Sequence, residues 1–106
     1  MIQQVSQLIT ALFDPNALWL WYEAREQELE LALQWARISA GSYVKKAGKG
    51  RDSAFADECE AEAIFIVTCL IYEDWESIKV NHPDVNDRTK FYYSMVKYQL
   101  RDYWSY

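Results

Sequence analysis

Few residues in this chain have chemistry to offer. Cys59 and Cys69 are the only cysteines and His82 the only histidine among 106 residues, so a zinc cage of Cys and His ligands cannot be assembled. A nucleophilic triad would have to be built on His82, and no nucleophile motif accompanies it. If one helix carries both cysteines, ten residues at a rise of about 1.5 Å hold them about 15 Å apart, too far for a disulfide. Both read as reduced core residues. Ala47-Gly48-Lys49-Gly50-Arg51 sets two glycines around a lysine but has neither the Walker spacing nor the Lys-Ser/Thr that follows it in phosphate-cradling loops. Neither a catalytic group nor a metal or nucleotide cofactor is expected.

What remains is charge and aromatic rings. The net charge of -5 argues against indiscriminate nucleic-acid binding, yet the charges are strongly segregated. Residues 57–87 hold nine acidic side chains and one basic, whereas residues 41–56 and 88–106 each hold four basic and one acidic. An acidic block is thus followed by a basic tail crowded with Tyr and Trp. Such separation suggests two surfaces with different partners; the alternative reading is a pair of solvated helix faces.

The elements that must carry these residues are helical. An apolar content of 51% with only 3 Gly and 2 Pro excludes collagen, low-complexity repeats and extended disorder. A chain of this length is one domain, residues 1–106, with a single core. No apolar run approaches the roughly 18–20 residues of a membrane span, and no signal-peptide pattern opens the chain, so a soluble, cytoplasmic protein without membrane contact is expected. Ile2, Val5, Ile9 and Leu12 have helical spacing, and Asp14-Pro15 then caps and starts a second helix. That helix runs to about Val44 on the stripe Leu18, Tyr22, Leu29, Leu33, Ala36 and Ala40, with Gly41 as a place to shorten or kink it. Lys45 to Asp52 reads as an exposed loop.

Asp52 or Ser53 caps a third helix whose face is Phe55, Cys59, Ala63, Ile66, Leu70 and Asp74, widened by Phe65, Thr68, Cys69 and Tyr72. Its middle is apolar nearly all round, as in a helix sandwiched between others. Val80 to Asp87, containing Pro83, reads as a turn. The last helix, about 88 to 105, carries Phe91, Met95 and Tyr98 beside Val96, Leu100 and Tyr103. The expectation is an all-α compact bundle of about four helices with one long second helix. Tyr98 and Tyr103 lie on apolar stripes and read as core, while Tyr92, Tyr93 and Trp104 read as the better surface candidates. Trp19 and Trp21 cannot share a helix face, so at least one of them is partly exposed.

Two stretches resemble known families. His82-Pro83-Asp84 resembles the tripeptide of J-domain co-chaperones, but Asp74 stands where that family has an aromatic residue and the preceding helix is acidic, which favours a simple capped turn. The more extended likeness begins at Asp57. Asp57-Glu58-Cys59-Glu60-Ala61-Glu62, followed by the apolar run to Leu70, resembles the acidic-then-apolar helix in the second conserved region of bacterial RNA polymerase sigma factors. Lys90 to Tyr103, a basic and aromatic start ending in Asp102-Tyr103, is similar to the next helix of that region, and Leu29 to Lys46 to the helix before it. Most of residues 25–104 can be laid on the region.

The resemblance implies two partners. Asp57, Glu58, Glu60 and Glu62 would contact the RNA polymerase core. Lys90, Tyr92, Tyr93, Lys97, Tyr98, Arg101 and Trp104 would hold the single-stranded -10 element of promoter DNA, rings stacking on unpaired bases and cations neutralising phosphates. The chain ends before a second module that would read the -35 element, so a divergent or phage-like sigma, an isolated domain and a decoy all stay open. The alternative is a small acidic helical adaptor or inhibitor that binds protein and no DNA. The first reading requires the basic aromatic face of residues 90–104 to be exposed and contiguous with Lys45, Lys46, Lys49 and Arg51. The second requires those rings buried and apolar surface near Trp19 and Trp21.

Overall fold

The structure is a computed structural model that describes residues 15–48 and 52–104. These form three helices, α1 (Pro15–Lys46), α2 (Ser53–Asn81) and α3 (Val85–Tyr103), with no strand among the described residues. The helix expected over residues 2–12, and Asp14 as a cap, lie outside the described residues. The boundaries follow local chemistry. Asp52 accepts a hydrogen bond from the Phe55 amide at 3.2 Å and caps α2; Asp84 accepts one from the Asn86 amide at 2.7 Å and caps α3. α1 runs straight through Gly41 and ends where Gly48 takes a φ of 72°, the left-handed conformation that closes a helix.

The turn between α2 and α3 is only His82-Pro83-Asp84, not the expected Val80 to Asp87. Pro83 stops α2 and Asp84 restarts the chain at once, so the two caps set the turn length. Each residue of the tripeptide has a structural task. The His82 ring stacks on Phe91 at 4.5 Å and its Nδ1 pairs with Asp87 at 2.8 Å, while Arg88 donates to the carbonyls of His82 and Pro83 at 3.2 and 2.9 Å.

α2 runs antiparallel to α1, as Arg25 with Glu76 and Arg37 with Glu60 show, and α3 returns parallel to α1, with Glu28 against Tyr92 and Ser39 against Tyr93. In a three-helix bundle each helix buries only one sector, and this redraws the expected faces. α1 inserts the small stripe Ala32, Ala36, Ala40 and Val44, but Arg25, Glu28 and Ser39 are buried beside it, while Tyr22 is exposed. On α2 the buried face drifts from Phe55, Cys59, Ala63 and Ile66 to Ile71, Trp75 and Ile78; Asp74 is not in it, and Phe65 is 64% exposed because none of the described helices covers the outer side. On α3 the core is Tyr92, Val96 and Leu100, and both Tyr98 and Tyr103 face solvent, the reverse of the expected arrangement.

That reversal traces to one buried cluster. Glu28 of α1 accepts hydrogen bonds on the same oxygen from the Tyr92 hydroxyl at 2.6 Å and from Arg88 Nε at 2.8 Å. A buried carboxylate needs such partners to offset its lost hydration, and Tyr92 is the ring that can reach it from inside the bundle. Burial, with the bond to Glu28, pushes the Tyr92 phenol well above its ordinary value of 10.0.

Glu28→Ala leaves Arg88 charged and half-buried without its carboxylate and is expected to cost about 3 kcal/mol or more in chemical denaturation, against about 1 to 2 kcal/mol for Tyr92→Phe. The raised Tyr92 pKa also fixes a sign. The unfolded phenol ionises near 10.0 while the folded one keeps its proton, so this contribution is complete below that pH and is lost as pH rises above it. The denaturation midpoint of the natural chain should therefore fall more steeply between about pH 9 and 11 than that of Tyr92→Phe.

Candidate nucleic-acid interface

Because α1 and α3 are parallel, their C-terminal halves lie side by side, and a cleft of about 260 Å³ opens between them. α1 supplies Ser39, Ser42, Tyr43 and Lys46, and α3 supplies Tyr93, Lys97 and Arg101. The Ser39 hydroxyl donates to the Tyr93 carbonyl at 2.8 Å and ties the two walls together. Lys97 and Arg101 are one turn apart on α3, and both also approach the Tyr98 ring, at 5.8 and 5.0 Å. Tyr98 is 48% exposed and so acts as an outer brace for the two cations. Lys90 is exposed two turns earlier on the same helical face, at the i, i+7, i+11 spacing with Lys97 and Arg101.

The seven residues assigned to DNA by resemblance therefore separate. Tyr93, Lys97 and Arg101 meet in the cleft, Tyr98 lies outside its lining beside the two cations, Lys90 shares only their helical face, and two do not belong. Tyr92 has no exposed surface and is spent on Glu28, which removes it from any base-stacking role. Trp104 is half-buried against Phe55, ring centroids 5.0 Å apart. Its indole N–H is directed at the buried Cys59 thiol, a hydrogen bond that opposes the upward shift burial gives that group.

Lys46 lines the cleft and Lys45 is exposed next to it, so the basic face does run from α3 onto α1; Lys49 and Arg51 lie outside the described residues. Ser42 and Tyr43 were missed as site residues. Their only signal was an aromatic residue immediately before a basic pair at a helix end, in Tyr43-Val44-Lys45-Lys46.

The acidic residues do not form one patch. Asp57, Glu58 and Glu60 are exposed and Glu62 is half-buried. Glu60 is engaged with Arg37 of α1 at 3.3 Å. Glu58 and Glu62 lie one turn apart on the outer side of α2, and Phe65 continues their row. At the other end of the bundle Trp19 is 66% exposed beside the exposed Leu20, whereas Trp21 packs near Tyr72 and carries the buried Arg25 guanidinium 4.0 Å over its ring. Burial lowers the Arg25 pKa and Glu76 opposes that shift. Burial likewise pushes the Cys59 thiol up, in keeping with an unreactive core cysteine.

Among the described residues no group of His, Cys, Asp and Glu could hold a metal ion, and no helix is long and apolar enough to cross a membrane. The chain matches no protein-family model, no curated protein and no solved structure.

The exchange of roles between the tyrosines has a direct check. Tyr98→Ala removes a ring from solvent and is expected to shift stability by no more than about 0.5 kcal/mol, whereas Tyr92→Ala empties the core and should cost about 3 kcal/mol or more in urea denaturation.

Proposed function

We propose that the chain is a sigma-like transcription module, in which α3 and the end of α1 hold an unpaired promoter strand and the outer side of α2 docks on the RNA polymerase core. The observation that carries this is the meeting of Lys46, Tyr93, Lys97 and Arg101 on one cleft, from two helices whose sequences both fall within the sigma-like stretch. Cations fixed beside rings suit an unpaired strand, because a base offers a face to stack and its phosphate a charge to neutralise. The excess acid elsewhere keeps the attraction local. On α2 the row Glu58, Glu62 and Phe65 supports docking by offering charge and one large exposed ring together. No catalytic step is part of this reading.

The adaptor reading keeps one observation of its own, the exposed Trp19 and Leu20 at the start of α1, since exposed tryptophan marks many protein contacts. It is favoured if the chain captures polymerase core or another purified partner through Trp19 and binds no DNA.

Fluorescence anisotropy with a labelled single-stranded -10 oligonucleotide tests the first reading. Lys97→Glu with Arg101→Glu should weaken binding at least tenfold and lower the salt slope by about 1.4, at about 0.7 for each lost phosphate contact. Lys79→Glu, on α2, should leave it unchanged. In a parallel pull-down, changing Glu58, Glu60 and Glu62 to Lys should abolish capture of polymerase core. Equal affinity of the double variant and the natural chain for the oligonucleotide would remove the DNA half of the proposal.

A further inference from the structure

We infer that the α1–α3 cleft is a seat for a single phosphorylated nucleoside, with Tyr43 and Tyr93 flanking the ring and Lys46 reaching across from α1 to close on the phosphate held by Lys97 and Arg101. For a nucleotide within a strand this rests on the proposed strand binding by α3. It adds that the site has the size of one residue of ligand, with Tyr43 of α1 and Tyr93 of α3 on either side of the base.

Volume is the first argument. At about 260 Å³ the cleft is smaller than the roughly 300–1,000 Å³ of sites that enclose drug-sized ligands, so it holds one base and its phosphate rather than a folded polymer segment. Chemistry is the second. The cleft combines two phenol rings, the hydroxyl of Ser42 and three cations. Rings stack on a base face, and Lys and Arg donate hydrogen bonds to phosphate oxygens.

The cleft walls are also tied to each other. Ser39 bonded to the Tyr93 carbonyl at 2.8 Å fixes the distance between the walls, and Tyr98 holds Lys97 and Arg101 at their stations. Little ordering is then left for the ligand to impose. The C-terminal carbonyls of both α1 and α3 lie at this end and carry partial negative charge, so the pull on the phosphate comes from the side-chain cations Lys46, Lys97 and Arg101.

The test is a ¹H–¹⁵N NMR titration of the full chain with three probes, AMP, adenosine and inorganic phosphate, alongside the oligonucleotide anisotropy assay. Saturable amide shifts are expected at Ser42, Tyr43, Tyr93 and Lys97 with AMP, at least tenfold weaker for adenosine or phosphate alone. Lys46→Glu, an exposed position, should weaken both AMP and the oligonucleotide at least fivefold with an unchanged spectrum elsewhere. If the oligonucleotide binds through Lys97 and Arg101 while AMP leaves the cleft amides unmoved and Lys46→Glu has no effect, the nucleotide seat is overturned and strand binding stands. Saturation by AMP without oligonucleotide binding would support the seat as one for a free nucleotide and remove the strand reading. Silence of both ligands overturns both.

Discussion

Everything on the α3 side of this bundle depends on one buried carboxylate. Glu28 sits in the interface between α1 and α3 and is tolerable there only because Tyr92 and Arg88 both donate to it. Those two donors are one turn apart on α3, so satisfying Glu28 fixes both the rotation of α3 and its register along α1. Arg88 also reaches two carbonyls of the preceding turn, and so joins the exit of α2 to the same point. A hydrophobic contact could slide or rotate at small cost; a doubly bonded buried charge cannot.

Once Tyr92 is held inward, the rest of α3 has no freedom left. A residue one position later is rotated by about 100°, which turns Tyr93 toward the edge of α1, and Lys97 and Arg101 follow it at one-turn intervals. Val96 and Leu100, one and two turns after Tyr92, fall into the core beside Ala36 and Ala40. The small side chains of α1 let the two helices approach closely enough for Ser39 to reach the Tyr93 carbonyl. Beyond Ser39 the α1 residues that face the cleft are Ser42, Tyr43 and Lys46. The site is thus a consequence of packing determined at its far end.

This also explains what could and could not be read from the sequence. Helix type and the cap at Asp52 were legible because they depend on neighbours within three residues; the cap at Asp84 was not, and it starts α3 at Val85 rather than near residue 88. The extent of α1 was legible too, though Gly41 leaves no mark on it. The orientation of α3 was not, because that helix has rings on every side and the choice among them is made by Glu28, 64 positions away from Tyr92. Hydrophobic periodicity misjudged α1 for the same reason: its buried face includes Arg25, Glu28 and Ser39, which any apolar count assigns to solvent. On α2 the all-round apolar middle suggested a sandwiched helix, and the exposed Phe65 shows a sector that the described helices do not cover. Of the candidate site, the cations of α3 were visible as a spacing, but the contribution of Tyr43 and Ser42 came only with the parallel alignment of two helices distant in sequence.

The same geometry keeps two oppositely charged surfaces apart on a narrow molecule. The antiparallel α2 brings its acidic start level with the end of α1, as the pair between Arg37 and Glu60 records, so Asp57 to Glu62 stand at the same end of the bundle as the basic cleft. A bundle whose shorter extents are 26 and 24 Å separates its two sides by more than the roughly 8–10 Å over which exposed charges act at physiological salt. In the proposed reading an anionic strand in the cleft would be barely sensed on the far side of α2, yet one straying over the α1–α2 edge would meet carboxylates. Arg37 neutralises Glu60 where the two surfaces come nearest. Under the proposed reading these carboxylates would act as a fence that confines a polyanion to the α1–α3 face and would leave the outer side of α2 for a contact of different chemistry.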